Sequence, residues 1–263
     1  MTIHGFTAAP IWAACLVLSA SLGLGCVTVI EDVDAQQSRR EAAARRNVGI
    51  DYLAKGRTAL AIRELAHAKT LDPKDPKTLL WLGEAHRRRG RLEEARGYME
   101  SAVTLDPGYH DARLNLSGLL ILLKRYPASI EHAQELLDDP TYEAPWRAYN
   151  NLGWAELQQG RYAEAKDAFE HALDFYQNYW PARLNLGILA LEEGRQHEAI
   201  AEFTRILDRS PAGAAVEANY HIAVAYVSLG EAGEALAHFE SVMASDPESS
   251  WAKQSQDYLE SLR

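Results

Sequence analysis

Cysteine is nearly missing from this chain of 263 residues: only Cys15 and Cys26 occur, too few for a disulfide framework to carry the fold. Positive charge is also in short supply. Lys and Arg number 27 against 37 Asp and Glu, a formal net charge of −10, which argues against a nucleic-acid partner because phosphate binding needs a clustered basic surface. The short run Arg87-Arg88-Arg89 reads as a solvated helix end, where cations complement the C-terminal dipole. The sequence has no glycine-rich phosphate loop and no Gly-x-Ser-x-Gly elbow. Its histidines fall singly, His132 and His171 among them, and no pair has the i, i+4 spacing with a further ligand that zinc requires. Neither a catalytic group, a metal nor a cofactor is expected. Long apolar runs are absent too: Ile11 to Leu24 is the principal one, short of the roughly 20 residues of a membrane span but suited to a signal-peptide core.

What is abundant is repetition. Aligning the chain on itself superposes Gly49, Gly83, Ser117, Gly153, Gly187 and Ala223, at steps of 34, 34, 36, 34 and 36 residues. Twelve residues after each stands another small residue: Ala61, Ala95, Ser129, Ala165, Ala199 and Ala235. Two helices of a hairpin approach closely where both present small side chains, so these pairs mark the contact of a first helix with a second. Tyr52 and Tyr226 follow the first small residue by three, and Leu65, Met99, Phe169, Phe203 and Phe239 follow the second by four. Pro73, Pro107, Pro211 and Pro247 close four repeats, because proline lacks an N–H and pushes its predecessor out of the helical region. Turns such as Lys55-Gly56-Arg57, Arg89-Gly90-Arg91, Gln159-Gly160-Arg161 and Glu193-Gly194-Arg195 join the helices, glycine taking the left-handed conformation that ends the first.

This pattern resembles the tetratricopeptide repeat and implies an all-α superhelical solenoid of six hairpins. The repeats are expected at 42–75, 76–109, 110–143, 146–179, 180–213 and 216–249. Looser loops are expected at Asp139 to Pro145 and Ser210 to Ala214. From Ser250 to the end, Trp251, Tyr258, Leu259 and Leu262 share one helical stripe, as a cap over the apolar end of a solenoid requires. In the third repeat, Leu114 to Leu123 is apolar nearly all round: either a helix buried on every side or one that exposes a patch.

The N-terminal apolar stretch ends in Ser21-Leu22-Gly23-Leu24-Gly25-Cys26, which resembles the lipobox of bacterial lipoproteins. Gly23 stands where leucine is usual, and Met1 to Gly5 carries no Lys or Arg. The resemblance implies a signal peptide over residues 1–25 and an acylated Cys26. Residues 26–41 then form a tether and helix lead-in, with no helical pattern from Val27 to about Asp34, ahead of the repeats over 42–249 and the cap over 250–263.

Asn115, Asn151 and Asn185 occupy equivalent positions just before the Leu-Gly or Leu-Ser pair. An asparagine amide can bond a peptide C=O and N–H together, so a ladder of them on the first helices could hold an extended segment; equally, each could bond the neighbouring helix. Ile50, Trp154, Ile188 and Val224 occupy the next register and could line the same groove with apolar surface or belong to the stacked core. Trp154, between Gly153 and Ala155, is bulky for a packed seam and is the favoured ligand contact.

The lipobox, the six repeats and the stretched junction Leu137-Asp138-Asp139-Pro140-Thr141-Tyr142 leading into Arg147-Ala148-Tyr149-Asn150-Asn151-Leu152-Gly153 together resemble the type IV pilus pilotins. That resemblance implies a lipid-anchored, non-enzymatic scaffold on the periplasmic face of the outer membrane. Its protein partner would be an outer-membrane secretin, whose targeting and assembly it promotes. Val27 after the cysteine is compatible with outer-membrane delivery. Two other readings share the architecture: an adaptor for cell-wall hydrolases or outer-membrane protein assembly, and a generic protein-binding module.

Overall fold

The computed structural model describes residues 12–207 and 211–262, with side chains over 33–207 and 211–260. It is helical throughout and divides after Arg91 into two compact units. Among the described residues, no helix is long and apolar enough to cross a membrane. Residues 1–11 of the expected signal peptide, and the side chain of Cys26, lie outside the described set.

The first unit contains α1 (Trp12–Ala54), α2 (Thr58–Leu71) and α3 (Pro76–Arg88). The C-terminal part of α1 pairs with α2 at Gly49, where a Cβ would come 2.6 Å from Leu65 Cγ; only a residue without one fits. Leu53, Ala61, Leu65 and Ala68 are buried around that contact. Charge pairs tie the three helices together: Arg45 to Glu64 at 3.0 Å, Arg46 to Asp75 at 2.5 Å, and Arg88 donating to the Leu53 carbonyl at 2.7 Å. Asp75 also caps α3, accepting from the Lys77 and Thr78 amides ahead of Pro76 in the first turn. The expectation of an unstructured tether from Val27 to Asp34 is corrected: α1 runs through it without a break. No Gly or Pro interrupts residues 27–48, and Ala, Glu, Gln and Arg dominate residues 35–46, so helix propagation has nothing to stop it.

The second unit contains α4 (Leu92–Leu105), α5 (His110–Leu122), α6 (Tyr126–Leu137), α7 (Pro145–Leu157), α8 (Tyr162–Phe175), α9 (Trp180–Glu192), α10 (Gln196–Leu207), α11 (Ala212–Leu229), α12 (Ala232–Ser245) and α13 (Ser250–Leu262). From α5 onward, each helix packs on the next and odd-numbered neighbours pack on each other, α5 on α7, α7 on α9 and α9 on α11, the contact pattern of a solenoid. At Gly153 a Cβ would meet Phe169 at 2.6 Å and the Ala165 carbonyl at 3.0 Å. Gly187 stands equally tight against Phe203. These close approaches bury Phe169 and Phe203 completely, Phe239 is as fully buried in a cluster with Ala223, and each such ring contributes on the order of 2–3 kcal/mol by burial.

Left-handed glycines at positions 56, 90, 160, 194 and 230, with φ from 70° to 78°, turn five of the hairpins. The third has no glycine there, and Lys124 takes the conformation instead, at φ 57°. The expected loop from Ser210 to Ala214 is also corrected. Pro211 is the N-cap and Ala212 already begins α11, which is 18 residues long, because an alanine-rich start favours helix over loop. The α6–α7 connection, in contrast, stays non-helical between Leu137 and Pro145. In α5, Leu114, Leu116, Leu119 and Leu120 are buried whereas Leu122 is exposed, so burial on most sides explains its composition. The cap α13 buries Ala252 and Leu259, stacks Tyr258 on Phe239 at 4.9 Å and sets Trp251 4.9 Å from Tyr220; the Leu262 side chain lies outside the described residues.

Candidate functional site

The three asparagines fall on α5, α7 and α9 of the second unit, and their amides do not behave alike. Asn151 donates across to α5, to the Leu114 carbonyl at 3.3 Å and Ser117 Oγ at 3.4 Å. Asn185, 9% exposed, donates to Asn150 Oδ1 on α7 at 2.9 Å. Asn115 turns back onto its own helix and donates to the Asp111 carbonyl at 2.7 Å. Two of the three therefore bridge consecutive first helices, a use the sequence leaves open beside ligand binding. Asn151 thus has an acceptor for each of its two N–H groups, whereas Asn185 uses one of its two.

The apolar positions divide between core and rim. Trp154 is partly buried against Leu157, Ala165, Phe169, Ala172, Ala182 and Leu189. Ile188 packs between that cluster and the next, and Val224 packs in the C-terminal cluster. Ile50 is half-buried on α1, in the other unit. His132, half-buried, lies 3.4 Å from Arg113, whose guanidinium also pairs with Glu135; burial and then this arginine hold the imidazole below its ordinary pKa. His171 is exposed on α8. Among the described residues, no group of three or more His, Cys, Asp or Glu side chains could hold a metal ion.

Sequence reasoning missed the most accessible chemistry of the second unit. Ten aromatic residues lie between Tyr142 and Trp180, a density that would have directed attention there. Along α7, α8 and the loop into α9, five of their rings and the His171 imidazole form two contact groups at the surface. Trp146 contacts Tyr176 edge-on at 5.6 Å, Tyr176 lies 6.2 Å from Tyr179, Tyr149 stacks on Phe175 at 5.8 Å, and Tyr149 also meets His171 at 5.2 Å. Phe175 and Tyr176 remain 58% and 48% exposed.

Beside this surface, where the stretched junction meets the start of α5, is a cavity of about 340 Å³ bordered by Gly108, His110, Asp111, Tyr142, Glu143 and Arg147. Asp139 holds two of the lining residues in place: it accepts from the Thr141 hydroxyl and amide and lies 2.8 Å from His110 Nε2. Those bonds, Thr141 first, lower its carboxyl pKa to about 2. Tyr142 sits edge-on to His110 at 5.3 Å, and its buried hydroxyl has no hydrogen-bond partner. Burial pushes that phenol up to about 12, against the opposing charge of Arg147. Arg147 lines the cavity 3.8 Å from Asp111, and while burial raises the Tyr179 phenol above its ordinary pKa, the charge of Arg147 opposes that shift.

Sequence models described as tetratricopeptide repeat match residues 46–110, 150–214 and 184–250, and a further one matches 109–178. The chain belongs to the tetratricopeptide-repeat family. Among curated proteins it is similar to the type IV pilus assembly protein PilF of Pseudomonas aeruginosa, with 29% identity over 169 residues that span 63% of this chain and 67% of that one. It also matches the Hsp70-Hsp90 organizing protein of Triticum aestivum, with 33% identity over 92 residues, 35% of this chain but only 15% of that protein. Among solved structures, PilW, described as a widely conserved type IV pilus biogenesis factor, superposes with a TM-score of 0.71 at 20% identity, covering 81% of this chain and 97% of that one. The Pseudomonas aeruginosa PilF structure gives 0.66 at 20% identity, covering 84% and 99%. At such identities the superpositions establish the tetratricopeptide solenoid fold.

Proposed function

We propose that this chain is a lipid-anchored scaffold of type IV pilus biogenesis, acylated at Cys26, that binds an outer-membrane secretin and promotes its targeting and assembly. The observation that carries the reading is the similarity to PilF, a type IV pilus assembly protein, over 169 aligned residues. The fit of six repeats to nearly the whole length of PilW and PilF supports it. A tetratricopeptide solenoid acts by presenting side chains to an extended partner rather than by bond-making chemistry. The lipobox-like Leu24-Gly25-Cys26 supports the anchor. In this reading the secretin segment lies along the first helices of the second unit, its backbone competing for the side-chain amides of Asn115, Asn151 and Asn185, with Trp154 as apolar anchor and Ile188 and Val224 beside it.

The test is deletion of the gene followed by electrophoresis of undenatured membranes probed for secretin. Subunits are expected to remain unassembled, and multimers to return with the wild-type gene but not with a folded, tethered Asn115→Ala/Asn151→Ala/Asn185→Ala protein. Normal multimers in the deletion strain would overturn the secretin reading in favour of an adaptor for another envelope client. Normal multimers with the triple variant alone would move the binding surface off this asparagine row.

A further inference from the structure

The aromatic surface of α7–α9 and the cavity beside it are not used by the asparagine row, and their chemistry is distinctive. Phe175, with Tyr149 stacked on one face, and Tyr176, with Trp146 edge-on to it, are still 58% and 48% exposed, and the face that stays open on such a ring carries negative electrostatic potential that attracts cations. Acidic side chains stand at both places: Asp174, 78% exposed, precedes Phe175, and Asp111, 64% exposed, and the exposed Glu143 border the cavity, while Arg183, bonded to the Gln177 carbonyl, is already paired with Glu202. Arg147 is the one Lys or Arg bordering the cavity, and Asp111 is 3.8 Å from it. Tyr142 forms part of the cavity lining, and its hydroxyl is buried behind it without a partner. The chain as a whole carries −10, which steers a positively charged partner toward it.

Resting on the reading of this solenoid as a partner-binding scaffold, we propose that the Phe175–Tyr176 surface and the Tyr142 cavity dock an extended, arginine-bearing segment of a protein partner. One guanidinium stacks on the exposed rings beside Asp174. Another enters the cavity, pairing with Asp111 and Glu143. Arginine is favoured over lysine because its planar, weakly hydrated guanidinium can stack and hydrogen-bond at once. An anionic membrane surface or an acidic peptide would meet Asp111, Glu143 and Asp174 with like charge.

The probe is a labelled nona-arginine peptide, titrated by fluorescence anisotropy into the full chain in detergent at physiological salt, with nona-lysine and nona-glutamate as comparisons. Arginine is expected to bind tightest and glutamate not at all. Phe175→Ala/Tyr176→Ala and, separately, Asp111→Asn/Asp174→Asn are each expected to weaken nona-arginine binding by about tenfold, the size expected from losing two cation–π or two charge contacts. The charge-matched control Glu234→Gln/Glu248→Gln, at exposed acids of α12 and the loop after it, should change it less than about twofold. Circular-dichroism spectra at the titration temperature are expected to match wild type in every variant, and the aromatic double variant should melt somewhat lower because Phe175 and Tyr176 contact Tyr149 and Trp146. Wild-type affinity in both site variants, an equal loss in the control, or tighter binding of nona-glutamate would each overturn the proposal. These titrations need no secretin, so they succeed or fail independently of the assembly assay.

Discussion

Ser117 and Ser129 exchange hydrogen bonds across the third hairpin: Ser117 Oγ donates to the Ser129 carbonyl at 3.1 Å, and Ser129 Oγ donates to the Ser117 carbonyl at 3.0 Å. Both residues are fully buried. Where the fourth and fifth repeats bring glycine against alanine, this one brings two hydroxyls together and satisfies them reciprocally, so burial of polar groups carries no desolvation penalty. Asn151 adds a third donor to Ser117 Oγ from α7.

Replacing either serine with alanine should therefore lower stability by about 1 kcal/mol, the usual net value of such a bond. The double variant should lose less than the sum of the two, since the two Oγ atoms also lie 3.2 Å apart and either change removes that shared contact. Urea titrations of the four proteins of the cycle measure this; strict additivity would show that the two hydroxyls act independently.

Ala165→Leu should be far more damaging than Glu164→Leu. Ala165 is fully buried where α7 meets α8, with the Gly153 backbone against its carbonyl, whereas Glu164 is exposed. Overpacking costs about 1–3 kcal/mol and should lower the melting temperature clearly. Equal melting temperatures for the two variants would contradict this hairpin contact.

Lys124 holds a left-handed conformation that five glycines hold elsewhere. Lys124→Gly should relieve about 1 kcal/mol of backbone strain, less a few tenths for the freer unfolded chain, and so raise the denaturation midpoint slightly. Gly160→Ala, the converse change at φ 73°, should lower it by about 1 kcal/mol.

His221 is stacked on Phe203 at 5.3 Å and faces Tyr220 and Trp251, its Nε2 buried without a partner. Burial lowers its pKa to about 4, below the unfolded value of about 6.5. The unfolded chain therefore binds the proton first as pH falls. The stability contribution is complete above about pH 7 and is lost on acidification, by about 2 kcal/mol at pH 5. Chemical denaturation of wild type and His221→Leu at both pH values checks this: the variant should lose less over that interval. Parallel losses would exclude His221 as the source.

Cys26→Ala should release the protein from the membrane fraction if acylation at that residue is the anchor. Mass spectrometry of the wild-type protein should find a chain that begins at acylated Cys26, and an intact chain beginning at Met1 would refute the cleavage.

The repeat architecture was legible because it rests on local requirements. Gly49, Gly153 and Gly187 are small because a Cβ there would strike Leu65, Phe169 or Phe203, and Gly56 or Gly160 is glycine because its own φ is positive. Such constraints recur at a fixed spacing, so one chain displays them six times. Helix continuity was less legible. The tether reading of 27–34 relied on missing amphipathic periodicity, yet a stretch without Gly or Pro continues a helix already started in α1. The candidate sites divide in the same way. Equivalence of Asn115, Asn151 and Asn185 follows from register alone, but their partners do not: Leu114 and Asn150 lie 37 and 35 residues from the asparagines they serve, on the preceding first helix. Nor does an aromatic-rich sequence reveal which rings stay open. Phe169 disappears beneath Gly153 while Phe175, six residues later, remains exposed, because a helix of 3.6 residues per turn carries the two positions to different faces and only the stacked neighbours decide which face is covered.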